Sequence, residues 1–127
     1  MKKFFIMLFV VAVCTLAYAD ENQKVFCQIV GQSNGFTPKV KISIDYGQEM
    51  KFGSDNRLVD ESGQVIKFNS MIDALNYMGS KGWKFEQAYA ITLGNANVYH
   101  YLLSKEISEG QDINEGLKTK QDFKKEQ

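Results

Sequence analysis

The chain is poor in the side chains from which most catalytic and metal sites are built. In 127 residues it holds one histidine, His100, and two cysteines, Cys14 and Cys27. A zinc or iron centre needs three or four converging ligands, and His100 with Cys27 supplies two nitrogen or sulfur donors at most. There is no Gly-x-Gly-x-x-Gly run, no phosphate-binding loop and no internal repeat, so no cofactor is expected. Glycoside hydrolysis needs two opposed carboxylates in a cleft. Asp45, Asp60, Glu61 and Asp73 allow several pairings, and nothing selects one. The run from Asp55-Asn56-Arg57 to Asp60-Glu61-Ser62-Gly63 has a passing likeness to a calcium loop, but it lacks the alternating ligands and the closing glutamate. An excess of one charge is missing too. Fifteen basic side chains balance fifteen acidic ones, and nucleic acid, which asks for a basic face, is not an expected partner.

What is present begins at the first residues. Lys2 and Lys3 form a positive start, Phe4 to Leu16 is an apolar run broken only by Thr15, and Ala17-Tyr18-Ala19 is the small-x-small pattern that a signal peptidase cleaves. The run is short for a membrane-spanning helix, which takes about 20 apolar residues. Residues 1–19 therefore read as a cleavable secretory signal. An uncleaved anchor is the alternative. Acylation at Cys14 is disfavoured because Val13, not a small residue, precedes it. The protein is expected to be exported, periplasmic or secreted, with no membrane association once the signal is removed. Cleavage leaves 108 residues, with 13 basic and 15 acidic side chains and a net charge of −2. That length suits one domain with one core.

Only Cys27 survives cleavage, so an internal disulfide is excluded and stability must come from packing. Cys27 lies in Val25-Phe26-Cys27-Gln28-Ile29-Val30, which reads as a buried strand, with Val25, Cys27 and Ile29 on one face. In that setting it is a small apolar core residue, since a reactive thiolate needs an electropositive, partly exposed site. From Pro38, the only proline, to Gly47 the chain alternates cleanly: Val40, Ile42, Ile44 and Tyr46 against Lys39, Lys41, Ser43 and Asp45. The two strands predict a hairpin. Residues 47–68 predict a short strand at Glu49 to Phe52 and a second small hairpin flanking Glu61-Ser62-Gly63.

Ser70 with Asp73 is a capping-box-like pair that opens a helix. Met71, Ile72, Leu75 and Met78 predict its apolar stripe, and Gly79 and Gly82 predict its end. Trp83 to Thr92 reads as a strand with Trp83, Phe85, Tyr89 and Ile91 on one face. Val98 to Lys105 reads as its returning partner, apolar on both faces and therefore central or covered. The expected fold is α+β: an antiparallel sheet of four to six strands with one main helix on one face, in the order strands, helix, hairpin. The domain is expected to span residues 20–105. Residues 106–127 carry few large apolar side chains and many charges, and read as a polar, flexible or weakly helical tail.

The stretch Leu75-Asn76-x-x-Gly79-x-x-Gly82-Trp83, followed by the hairpin with Val98-Tyr99-His100-Tyr101-Leu102-Leu103, resembles small exported bacterial domains of unknown function from gut-dwelling Gram-negative species. Lys84 stands where those domains carry glutamate after the tryptophan. The resemblance covers about a third of the mature chain and implies topology without an activity. The residues alone account for the motif: two glycines let the chain reverse so that Trp83 folds beneath the helix, with Asn76 placed to bond the turn.

Surface recognition remains as the function class. Tyr77, Trp83, Phe85, Tyr89, Tyr99 and Tyr101 crowd into 25 residues, and one helix covers one sheet face. An aromatic second face bearing Tyr89, Tyr99, His100 and Tyr101 would be a partner surface, for another protein or for a second copy. The rival readings are a small hydrolase using Cys27 and His100, and an inhibitor or accessory subunit of a secreted enzyme.

Overall fold

The computed structural model describes residues 21–33 and 36–127; the segment read as a signal, residues 1–19, lies outside the described residues. Four antiparallel strands form one sheet: β1 (Gln23–Ser33), β2 (Val40–Asp45), β3 (Lys84–Leu93) and β4 (Ala96–Ile107), in the spatial order β2-β1-β4-β3. Helix α1 (Met71–Ser80) lies between β2 and β3 in the chain, and a short helix, α2 (Lys120–Lys125), follows β4. The protein is thus a mixed α+β fold with one main helix. Among the described residues no helix is long and apolar enough to cross a membrane.

The period-2 patterns decide which face is buried. Cys27 and Ile29 of β1, Val40, Ile42 and Ile44 of β2, and Leu103 of β4 are buried beneath Met71, Ala74 and Met78 of α1. The alternate residues of β2, Lys41 and Asp45, are exposed. Gly31 interrupts the buried row of β1 because a Cβ there would collide with the Met71 thioether and crowd Ile42. That close approach seats the first turn of α1 on the sheet.

Helix α1 opens as expected. Ser70 has extended backbone and its hydroxyl accepts from the Asp73 N–H at 3.2 Å, while the Asp73 carboxylate accepts from the Asn69 N–H at 2.9 Å. Two details differ from expectation. The buried stripe is Met71, Ala74 and Met78 with Leu75 partly buried, the i, i+3, i+4, i+7 spacing of one helical face; Ile72 falls outside it and is exposed. Gly79 belongs to the helix, and the stop is made by Gly82 alone. Its φ of +89° lets the Gly82 N–H donate to the Gly79 carbonyl and the Trp83 N–H donate to the Met78 carbonyl. This Schellman pair turns Trp83 under the helix, where it is buried. Backbone groups close the turn, and Asn76 is exposed.

Residues 47–70 lack the strand expected at Glu49 to Phe52, but the small hairpin expected around Glu61-Ser62-Gly63 is present in minimal form, as isolated bridges. Val40 bridges Phe68, Ser43 bridges Arg57, and Val59 bridges Val65 across a tight turn. The C-terminal stretch is the larger correction. The sheet runs on through Ile107, and the residues read as a tail return to the domain: Leu117 and Thr119 are buried, and Thr119 bridges Leu58. The Val59, Lys120 and Gln121 N–H groups donate to the carbonyls of Lys118, Arg57 and Asp55. Thr119 and Asp122 form a capping box that starts α2. Low apolar content hid this, because one buried leucine and a row of backbone hydrogen bonds dock the segment without a hydrophobic pattern.

Candidate interaction surface

Strand pairing assigns every side chain of the hairpin to a face, because directly opposed residues in an antiparallel pair point the same way. Cys27 opposes Leu103 and Ile29 opposes Tyr101, which puts Tyr101 and, two residues before it, Tyr99 on the helix side. Val30 opposes His100 and Gln28 opposes Leu102, which puts His100 on the other side. The four residues expected on one surface are therefore divided. Tyr89 and His100 share the open face. Tyr99 and Tyr101 pack against the helix-side core, where they line a groove of about 640 Å³ with Met71 and Ile72.

A bulge produces part of this division. Phe85 opposes Leu103, but Gln87 opposes Leu102, so Glu86 is an extra residue in β3. Phe85 stays on the helix side, edge-on to Tyr101 at 5.6 Å between ring centres, whereas Tyr89 and Ile91 cross to the open side. A strict alternation puts Phe85, Tyr89 and Ile91 on one face. The bulged Glu86 accepts a short hydrogen bond from the Ser104 hydroxyl and pairs with Lys24 at 3.1 Å. The Ser104 hydroxyl, then Lys24, hold its carboxyl below the usual glutamate range.

On the open face the Tyr89 and His100 rings stack at 4.6 Å and 3° between planes, and Gln28 Nε2 donates to the Tyr89 hydroxyl at 3.3 Å. On the same face Tyr89, 49% exposed, is followed along β3 by Ile91, 45%, and Leu93, 63%, and Phe26, 49%, lies farther along β1 opposite Ser104. All ten residues of β3 are exposed. Toward β2 the same face sinks into a shallow concavity of about 920 Å³ bordered by Val30, Lys41, Ser43, Arg57 and Leu93. Arg57 there donates to both carboxylate oxygens of Asp55, at 2.8 and 2.6 Å, which pulls the Asp55 pKa down.

The chemistry considered from sequence is not assembled. Cys27 and His100 sit on opposite faces of the sheet. Burial, and next the charge of Asp45, push the Cys27 thiol up to about 12, far from a nucleophilic thiolate. Asp60 spends one carboxylate oxygen on the Ser62 hydroxyl and on the N–H groups of Ser62 and Gln64, so it closes its own turn. Among the described residues no group of three or more His, Cys, Asp or Glu converges to hold a metal ion. Comparison with protein-family models, with curated proteins and with solved structures finds no match.

Sequence reasoning put Tyr89 and His100 on one face, where the structure also places them, and did not name Phe26, Leu93 or the exposure of β3 as a whole. The signal for Phe26 was available, since it alternates out of phase with the buried Cys27 and Ile29.

Proposed function

We propose that the protein is an exported, non-catalytic binding module that engages a protein partner through the open face of β3 and β4. One observation carries this reading: Phe26, Tyr89, Ile91 and Leu93, each about half exposed or more, share with the Tyr89–His100 stack a sheet face that no helix covers among the described residues. Aromatic and branched side chains on a rigid sheet, with Gln28 and Gln87 set between Phe26 and the stack, have the composition of a protein interface. The placement of Cys27 and His100 on opposite faces supports binding over a hydrolytic pair. The export signal at residues 1–19 supports a periplasmic or secreted partner.

The test is site-specific photo-crosslinking in intact cells, with the reactive group at Tyr89 and, as a control, at Ile72 on the helix side. A discrete adduct at Tyr89 and none at Ile72 is the expected result. An adduct with a secreted enzyme would make the module an accessory subunit or inhibitor. Equal capture at both sites, or none at Tyr89, removes the proposal.

A further inference from the structure

The two edges of the sheet are treated differently by the fold. The outer edge of β2 is covered: Val40 and Phe68 exchange backbone hydrogen bonds, the Ile44 N–H donates to the Asn56 carbonyl, and the Leu58 N–H donates to the Ile42 carbonyl. The outer edge of β3 has no such cover among the described residues. Edge strands that stay solitary are protected by lysine, proline, an inward charge or a bulge. In β3 those devices stop at Glu86. The seven residues Gln87-Ala88-Tyr89-Ala90-Ile91-Thr92-Leu93 carry no charge and no proline.

We propose that a second copy of this chain docks on that edge, β3 against β3 antiparallel, about a two-fold axis at Ala90, to make one eight-stranded sheet. This deepens the reading of β3 and β4 as the binding side, but it concerns the edge and can fail while the face stands. The strand is self-complementary in that register. Opposed residues point the same way, so Tyr89 meets Ile91 of the second copy and Gln87 meets its Leu93, all on the open face. Ala88 meets Thr92 and Ala90 meets Ala90 on the helix side, where small side chains let the backbones approach. Aromatic against β-branched is a favoured cross-strand pair. Tyr89, Ile91 and Leu93 are 49%, 45% and 63% exposed. Side chains of that size offer on the order of 100 Å² each at such exposure. Two copies thus present on the order of 600 Å² of apolar side chain, below the roughly 1,000 Å² of a small specific interface, and the unpaired backbone of the two edges must supply the rest. The pairing is a weak dimer, concentration-dependent in the micromolar range.

Sedimentation of the purified protein across micromolar to millimolar concentration should show monomer and dimer in exchange. Ile91→Lys sets an ammonium against Tyr89 of the second copy and should weaken association by about tenfold or more, the effect of roughly 1.4 kcal/mol. Tyr89→Glu combined with Ile91→Lys should restore it through two opposed charge pairs. Ala90→Cys places two thiols at a Cα separation of about 5 Å, inside disulfide reach, and should give a covalent dimer on mild oxidation. Thr92→Cys puts its thiols four residues out of register and should not. A wild-type chain that stays monomeric overturns the proposal, whatever partner Tyr89 captures in cells. So does a dimer that ignores Ile91→Lys, and so does crosslinking at Thr92→Cys in place of Ala90→Cys. A dimer with no other protein caught at Tyr89 keeps this inference and removes the heterologous partner.

Discussion

Replacing Leu117 with alanine asks whether the C-terminal stretch belongs to the domain. Leu117 is 5% exposed and sits in the same core cluster as Leu58, Phe68 and Met78. Truncating a buried leucine removes its transfer energy and leaves a cavity, together about 2–5 kcal/mol. Leu117 lies at the margin of the core, on a segment held by the backbone bonds of Val59, Lys120 and Gln121, so the site can partly collapse. The expected loss is about 2–3 kcal/mol. For a domain of this size each kcal/mol lowers Tm by about 4–8 °C, which gives a drop of roughly 8–24 °C. Urea unfolding followed by Trp83 fluorescence measures the loss directly, as a lower midpoint at unchanged slope. Leu93→Ala is the matched control, since Leu93 is 63% exposed and its truncation should cost less than about 0.5 kcal/mol. If Leu117→Ala and Leu93→Ala unfold alike, within about 0.5 kcal/mol of the parent, residues 108–127 are solvated and the docking argument is wrong.

Three further outcomes follow from the same geometry. Gly82→Ala forces a Cβ into a φ of +89°, at a cost of about 1–2 kcal/mol read as a lower thermal midpoint, whereas Gly79→Ala, inside the helix and with open space around it, should not destabilise. Cys27, its thiol raised to about 12, should resist iodoacetamide at pH 8 in the native protein and react on adding denaturant; fast native labelling would contradict its burial. The Asp55 carboxyl is depressed below its ordinary 3.8, first by the hydrogen bond from Arg57. A folded pKa below the unfolded one adds stability above pH 3.8 that is lost as pH falls through the folded value. Asp55→Asn should therefore flatten the acid limb of a stability–pH curve below about pH 4, and an unchanged limb would show that the Arg57 pair contributes nothing there.

Much of the fold was legible because burial follows short periods. Val40, Ile42 and Ile44 alternate with Lys39, Lys41 and Ser43, and that alone names the buried face of β2. Ser70 and Asp73 announce the start of α1 because cap chemistry is local. Failures came where one residue's effect depends on a distant partner. Nothing near Glu86 marks it as an extra residue; the bulge exists because β4 pairs Leu103 with Phe85 and Leu102 with Gln87. Leu117 looks solvated in its own stretch, and the core cluster it joins, with Leu58, Phe68 and Met78, comes from some forty to sixty residues earlier. The proposed site was half legible for the same reason. The crowding of Tyr89, Tyr99, His100 and Tyr101 is visible in the chain, but their division between two faces depends on register.

Sequence alone determined the alternating strands and the helix with its cap and glycine stop, because each rests on contacts a few residues apart. Tertiary structure decided the strand order β2-β1-β4-β3, the covered edge of β2 and the bare edge of β3, the bulge that turns Tyr89 toward His100, and the return of Leu117 to the core. Those depend on which backbone groups meet across 7 to 84 positions of chain, from Ser33 with Val40 to Gln23 with Ile107, and long-range pairing leaves little trace in a local pattern.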